Sequence, residues 1–409
     1  MLEVGMITFL RGRFGPHLSP IVFFVASLTI GLGGIRLAFL ERKNKSSEPY
    51  KIPVRKRAML VGYLTAGIGI TSIALTSLFA NYRIDVKYSD IIPIIAVMVK
   101  RLLNNEFPYQ VISEWGYKAF PAYLPLQWMP FIISEVLHFD YRWTAFVVLC
   151  IALAFYGVYV LRRTASPVRI GCLWFLPFFT LLALTKYDPQ AFGISIETLI
   201  AAYYLILSLT IFSQSNFLRG LGLLLCLLSR YSLILWVPLY LGIIFLSEKR
   251  KNAFVIAAVA VLGIILIYGV PFLVKKPSIF LRSHAGYTTA ATVEWQVKEW
   301  QASTDKPYHL FRGIGFASFF YDYLNGALAK RLRILQIFHL AASVMVIGIL
   351  GLLFLKFKED IDYKIFALAG LKIYLAFFYD FIQIPYSYLF IVPVFVSIPV
   401  LAVALSDGS

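Results

Sequence analysis

The 409-residue chain has little charge, little cysteine and little histidine for its length. Only 14% of its residues are charged and 60% are hydrophobic, a composition outside the usual range of soluble globular domains. The three cysteines, Cys150, Cys172 and Cys226, lie inside apolar runs, so neither a disulfide framework nor a thiolate metal site is indicated. The motifs of nucleotide-binding loops and zinc proteases are also missing, and the five scattered histidines indicate no metal site.

Long apolar runs recur instead from Pro20 to Leu405. A helix needs about 20 apolar residues to cross the ~30 Å hydrocarbon core of a bilayer. The runs therefore predict an all-α polytopic membrane protein, with residues 1–409 forming a single transmembrane domain. The predicted spans are 20–40, 58–80, 142–161, 168–185, 189–212, 252–272, 333–355, 363–380 and 384–404.

The net charge of +17 comes from basic residues that cluster beside the apolar runs. This placement is typical of membrane topology signals, so a nucleic-acid partner is not indicated. The densest cluster, residues 42–57, predicts a cytoplasmic segment, and residues 249–251 predict another. Two large loops, 81–120 and 273–332, then share the outer face. Arg11 and the basic residues near it precede the first run without a following cleavage site, which indicates a retained first helix.

Two regions admit alternative topologies. In the first arrangement, 121–138 is interrupted by proline and only partly inserted, while two short spans, 217–229 and 231–247, meet at Arg230. In the second arrangement, 121–138 crosses fully and the two short spans form one broken span. The positive-inside rule favours the first arrangement, because it keeps the arginines after the third span in the cytoplasm. That arrangement predicts about 11 transmembrane helices.

The first outer loop contains apolar residues at roughly helical spacing, which predict an amphipathic helix on the membrane surface. These residues are Ile91, Ile94, Ile95, Met98, Leu102 and Leu103. Asp85 and Asp90 precede this helix at the predicted water–lipid boundary, where ionisable side chains are candidate functional groups. An ordinary structural interpretation stays open, in which Asp90 caps the helix and Asp85 is solvated.

The order of motifs in this loop resembles the GT-C superfamily of polyprenyl-phosphate-sugar-dependent glycosyltransferases. An aspartate in YSDI is followed by a helix ending in NNEFPY and by the aromatic-proline stretch AYLPLQWMPF. The pattern is most similar to bacterial polyprenol-dependent mannosyltransferases and the GPI-anchor mannosyltransferase. Their acidic residue, Pro-Tyr pair and helix entry correspond to Asp90, Pro108 with Tyr109, and Tyr123. The usual glycine and acidic pair are absent, so Asp85 stays open as an alternative to Asp90.

The resemblance implies a GT-C-like bundle that transfers a sugar with inversion from a polyprenyl-phosphate donor. The expected sugar is a hexose, with mannose first, and the acceptor is a glycan, a lipid or a protein. The expected location is a bacterial cell membrane, with the active site facing outside. Asp90, or else Asp85, would take the proton of the acceptor hydroxyl. No cofactor beyond the lipid-linked donor is implied, although a divalent ion held by the two aspartates is an open alternative.

The departing lipid phosphate requires positive charge nearby. Arg230 is the first candidate, because RYSLILWVP resembles the family's basic residue followed by a proline within a late span. Arg282 and His284 in FLRSHAGY are further candidates for phosphate binding. The candidate contacts to the acceptor or the sugar are Glu114, Lys118 and Tyr123. Ordinary alternatives are a snorkelling Arg230 and solvated or salt-bridged loop residues.

Two other functions stay open. The chain is alternatively a transporter or flippase of a lipid-linked glycan, or a non-catalytic membrane partner with the same architecture. A transporter predicts internally related halves with interrupted helices in matching positions. The sequence contains no such repeat, so it favours the transferase.

Overall fold

The computed structural model describes residues 1–41, 54–164, 166–296, 306–312 and 314–406. These residues form helices and contain no β-strand. In chain order, the first helices are α1 (Leu2–Gly5), α2 (Arg11–Glu41), α3 (Val54–Asn81), α4 (Ile91–Leu103), α5 (Pro125–Trp128), α6 (Ile132–Val136), α7 (Tyr141–Arg163), α8 (Pro167–Tyr187), α9 (Gln190–Gly193) and α10 (Glu197–Thr210). They are followed by α11 (Asn216–Leu227), α12 (Trp236–Ser247), α13 (Arg250–Ile264), α14 (Ile279–Glu294), α15 (Tyr308–Arg312), α16 (Ala317–Tyr323), α17 (Leu328–Phe357), α18 (Tyr363–Asp380) and α19 (Ile391–Ala404).

Seven helical stretches within the described residues are long and apolar enough to cross a bilayer. They are Leu2–Glu41, Lys56–Asn81, Tyr141–Arg163, Pro167–Tyr187, Arg250–Leu273, Leu328–Phe357 and Ser387–Ala404. Helices α10, α11 and α12 are apolar but shorter. The protein is therefore an all-helical, multi-pass membrane protein, as the composition predicted. The predicted basic segment 42–57 falls largely outside the described residues.

Two helix breaks decide how the chain folds near the site. The predicted break at Arg230 is confirmed, since α11 ends before it, α12 begins after it, and Arg230 itself has extended backbone angles. The predicted span 189–212 is wrong as a single helix, because the chain breaks between α9 and α10. There the Ser195 hydroxyl donates to the Ala191 carbonyl at 2.5 Å, a local side-chain bond that competes with helix continuation.

The amphipathic helix predicted within 81–120 is confirmed as α4, whereas its position on the membrane surface stays a prediction. Its apolar face packs against the protein, where Ile95, Met98 and Val99 are fully buried. The region 121–138 consists of short helical pieces, among them α5 and α6, as the first of the two predicted arrangements requires.

Hydrogen bonds link helix termini at both ends of the bundle. The hairpin end contains Ala38, Lys56 and Thr164, and the loop end contains Tyr82 and Gly193. At the hairpin end, the Asp362 N–H donates to the Ala38 carbonyl at 2.8 Å, and the Lys56 ammonium donates to the Thr164 carbonyl at 3.1 Å. At the opposite, loop end, the Arg142 guanidinium donates to the Tyr82 carbonyl after α3 and to the Gly193 carbonyl at the end of α9, at 2.7 Å each. The end of α3, the start of α7 and the end of α9 therefore meet at the loop end.

The interior holds a buried ion pair between the N-terminal segment and α18. The Lys372 ammonium donates to Glu3 Oε1 at 2.5 Å, and to Ser27 Oγ and the Pro393 carbonyl at 3.0 Å each. Ser397 donates to the other oxygen of Glu3 at 2.7 Å. These bonds tie the start of the chain to α2, α18 and α19.

Close packing of α2 on α18 brings this lysine within reach. A Cβ atom at Gly31 would lie 2.4 Å from Cγ1 of Ile373, and one at Gly34 would lie 2.8 Å from Cβ of Ala369. Both distances are shorter than real Cβ contacts. The two glycines therefore allow the backbones to approach, as small residues do between membrane helices.

Candidate functional site

A polar cavity of about 430 Å³ opens at the loop end. Its volume falls within the usual range of ligand pockets. Its walls come from the start of α2, the loop before α4, the α8–α9 junction, α14, α15 and the segment before α19. Seven tyrosines line it: Tyr82, Tyr88, Tyr117, Tyr187, Tyr308, Tyr386 and Tyr388. The charged or ionisable side chains of the lining are Arg11, Asp90, Asp188, Glu294, His309 and Arg312.

Asp90 lies on the wall formed by the segment 81–120. It occupies the N-cap position of α4, but its carboxylate accepts no capping hydrogen bond from the helix. Instead, the Tyr117 hydroxyl donates to Oδ2 of Asp90 at 3.2 Å. Burial raises the pKa of Asp90, the Tyr117 hydrogen bond opposes that effect, and the negative charge of Glu294 adds to it. Asp90 is thus a half-buried carboxylate whose proton affinity is higher than that of a solvated aspartate.

Glu294, His309 and Tyr386 form a second group in the lining. The imidazole Nδ1 of His309 lies 2.5 Å from Oε2 of Glu294, and the Tyr386 hydroxyl donates to Oε1 at 2.9 Å. Burial raises the pKa of Glu294, but the hydrogen bond and charge of His309 and the Tyr386 bond outweigh it, leaving that pKa lowered. Glu294 is therefore held as a carboxylate beside the imidazole.

Asp188 and Arg11 contribute an ion pair to the same cavity. Nη1 of Arg11 lies 3.6 Å from Oδ2 of Asp188, whose side chain is 2% exposed. Burial raises the pKa of Asp188, while the charge of Arg11 and a hydrogen bond from Ser387 lower it. Arg11, which the sequence presented as a flank of the first helix, reaches the cavity because α2 is kinked at Gly15 (φ 73°), ahead of Pro16.

Arg230 lies beside the cavity and pairs with a carboxylate. Its guanidinium donates to Glu197 Oε1, and neither residue is part of the lining. Among the residues that the structure describes, Nε of Arg230 and Oε2 of Glu197 have no hydrogen-bond partner although both atoms are buried. Burial and the charge of Asp90 raise the pKa of Tyr123, and the charge of Arg230 opposes them. Tyr123 therefore lies within electrostatic reach of both Asp90 and Arg230.

Four further predicted site residues lie outside the cavity that Asp90 lines. Asp85 is exposed, accepts a hydrogen bond from the Lys87 N–H at 2.9 Å, and borders a separate small depression. Three more predicted residues are exposed and do not line the cavity: Glu114, Lys118 and Arg282. His284 belongs to α14, but its side chain lies outside the described part of the structure.

No metal site is apparent in the part of the chain that the structure describes, because no three His, Cys, Asp or Glu side chains come close enough to share an ion. Asp85 and Asp90, the predicted alternative for a divalent ion, line different depressions.

Sequence reasoning missed Glu294, His309 and Arg312, which lie within the segment 273–332. The only local signal is the polar spacing of His309 and Arg312 in YHLFR, which a short helix places one turn apart. Nothing in the spacing relates Glu294 to this helix, or either of them to Asp90.

No family model, no curated protein and no solved structure matches the chain.

Proposed function

We propose that the protein is an integral-membrane glycosyltransferase that moves a sugar from a polyprenyl-phosphate donor to an acceptor hydroxyl in the loop-end cavity. The single observation that carries this proposal is Asp90: a half-buried carboxylate with a raised pKa, held by Tyr117 and facing a cavity that also contains cationic side chains. A hexose, with mannose first, is the proposed sugar. The acceptor is a glycan, a lipid or a protein.

The proposed architecture is a GT-C-like bundle with about eleven passes. These passes are the seven long stretches, the three shorter helices α10, α11 and α12, and α18. The clustering of Lys56, Arg162 and Lys249 near the hairpin end supports a cytoplasmic position for that end. The cavity then faces the outside of the membrane, which we propose to be a bacterial cell membrane.

Asp90 is the proposed general base. The acceptor oxygen attacks the anomeric carbon while its proton passes to the Asp90 carboxylate. The bond between that carbon and the phosphate oxygen breaks, and the lipid phosphate leaves with the electron pair. A base in such a position contributes ~10²–10⁴-fold to the rate, most effectively when its pKa is raised towards the working pH.

The tyrosines of the lining support a carbohydrate substrate. Each tyrosine offers an apolar ring face and a hydroxyl that donates or accepts a hydrogen bond. A sugar ring presents the same combination of C–H faces and hydroxyl groups. Tyrosine is the most frequent residue type in the lining, with seven side chains. The cavity therefore suits a sugar better than an apolar ligand.

The test is sugar transfer by purified protein supplied with radiolabelled polyprenyl-phosphate sugars. Asp90→Asn should reduce transfer by ~10²–10⁴-fold while leaving expression and folding intact. Asp85→Asn, the same change five positions earlier at an exposed carboxylate, is the matched control and should retain transfer. Full transfer by the Asp90→Asn variant would show that Asp90 is not the base, and consumption of none of the donors would overturn the proposed function.

A further inference from the structure

We propose that the phosphate of the lipid-linked substrate binds at His309 and Arg312, and that Glu294 is a positioning residue that fixes the His309 imidazole for this contact. The inference rests on the proposed function, because it assigns one part of the substrate to one part of the same cavity.

The Glu294 carboxylate fixes the orientation of the His309 ring. Both of its oxygens are engaged, one by Nδ1 of His309 at 2.5 Å and the other by the Tyr386 hydroxyl at 2.9 Å. With Nδ1 engaged, Nε2 is the ring nitrogen that remains for a ligand. The His309 side chain is 34% exposed and lines the cavity. Nε2 accepts from a protonated phosphate oxygen when the ring is neutral, and it donates to an ionised phosphate oxygen when the ring carries both protons.

The Glu294 carboxylate lies directly against the imidazole. The contact with His309 lowers the pKa of Glu294, against the opposing effect of burial, so Glu294 is a carboxylate that accepts from Nδ1. The direction of the ring is therefore set by the last residue of α14.

Arg312 adds a guanidinium one helical turn from His309. Its Cζ lies 4.4 Å from the centre of the Tyr308 ring, and its Nη1 donates to the Tyr308 hydroxyl. Both contacts restrict the guanidinium, which is planar and has five donors arranged to match phosphate oxygens. A phosphate held by Arg312 and His309 would receive charge-assisted hydrogen bonds from two directions.

Arg230 and Arg282, the two arginines that the sequence predicted for phosphate binding, are placed less favourably for contact with a phosphate in the cavity. Arg282 is exposed and does not line the cavity. Arg230 donates to Glu197 and lies behind the lining. Because Arg282 lies in the same loop region as Arg312 but outside the cavity, it provides a matched control for loss of one arginine.

The experiment measures direct binding to purified full-length protein in detergent, using polyprenyl phosphate, polyprenol and inorganic phosphate as probes. Arg312→Gln and His309→Gln should each weaken binding of polyprenyl phosphate by about ten- to hundred-fold, the usual loss for a hydrogen bond to a charged group. Binding of polyprenol should not change in either variant. Arg282→Gln should bind all probes as the unmodified protein does.

Glu294→Gln separates a positioning role from a general structural one. It should weaken polyprenyl phosphate binding in the unmodified background and have no further effect in the His309→Gln background, because its contribution passes through the imidazole. Additive losses in the double variant would overturn the positioning role. Equal losses for polyprenol would mean that the substitutions damage the cavity rather than the phosphate contact, and would overturn the site.

The remaining outcomes distinguish this inference from the proposed function. If no sugar is transferred but polyprenyl phosphate binding still depends on Arg312, the phosphate site stands and the transferase proposal fails. If sugar is transferred while Arg312→Gln and His309→Gln leave binding unchanged, the phosphate site fails alone. Inorganic phosphate that binds as tightly as polyprenyl phosphate would overturn the assignment of a lipid-borne ligand.

Discussion

Two buried ion pairs in this protein differ in how completely their polar atoms are hydrogen-bonded. Lys372 and Glu3 have side chains that are 0% and 4% exposed, and every polar group of the pair has a partner. Arg230 and Glu197 are 18% and 2% exposed, and each keeps one buried polar atom without a hydrogen-bond partner among the described residues. The first pair joins chain segments in the interior, whereas the second lies next to the cavity.

The difference separates a structural pair from one that remains available for further interaction. A charge removed from water is tolerated when its partner and additional hydrogen bonds replace the lost hydration. Lys372 and Glu3 meet that condition fully, which suits a role in holding the N-terminal segment in place. Arg230 and Glu197 meet it only in part, because Nε of Arg230 and Oε2 of Glu197 are buried without a hydrogen-bond partner among the described residues.

The largest effect is expected for Glu3→Gln. This substitution leaves the Lys372 ammonium in the interior without its counter-charge, and breaking a buried pair in this way costs ~3–5 kcal/mol. The unfolding temperature in detergent should fall steeply, as measured by the reactivity of the buried Cys226 thiol during heating. The double variant Glu3→Gln with Lys372→Met should recover part of the loss, because it removes both charges. Unchanged stability of the single variant would show that the pair does not anchor the segment.

A smaller effect is expected for the same change in the second pair, Glu197→Gln. The glutamine carbonyl can still accept from Arg230, and the guanidinium is partly exposed, so the loss should be about 1–3 kcal/mol. Added chloride should restore some of this stability, because an anion can approach Arg230. It should restore none in Glu3→Gln, where the lysine is fully buried. The same chloride response in both variants would contradict the distinction between the pairs.

The smallest effect is expected at Asp90, the cavity-lining carboxylate that accepts a hydrogen bond from the Tyr117 hydroxyl. Tyr117→Phe removes the hydrogen bond that lowers the pKa of Asp90 and leaves burial to raise it further. Because the base must be ionised to accept a proton, the loss of kcat/KM towards acidic pH should begin at a higher pH than in the unmodified protein. Tyr88→Phe, which removes another hydroxyl from the lining, should leave the pH profile in place. A profile that moves to lower pH would contradict the role of the Tyr117 hydrogen bond.

The sequence predicted the parts of the fold that depend on local periodicity and on apolar length. Helix α4 follows from the spacing of its isoleucines, and the break at Arg230 follows from a charge between two apolar runs. The break between α9 and α10 was not predicted, because Ile194 and Ile196 keep the stretch apolar while a serine hydroxyl interrupts it. Hydropathy averages over a window and does not detect one side-chain bond.

The sequence predicted only one wall of the candidate site, the wall that carries Asp90. Asp90 was identified because it follows a span and precedes an amphipathic helix, both of which are local signals. Glu294 and His309 are 15 positions apart, and Tyr386 is 92 positions from Glu294. Their contact depends on how the late spans pack, and tertiary packing of this kind leaves no periodic trace in a single sequence.

The cavity draws Arg11 from α2 and Tyr388 from the segment before α19. Its walls therefore meet only when helices far apart in the sequence have packed on one another. A substitution that loosens the packing of α2 should consequently alter the cavity without changing any residue of its lining.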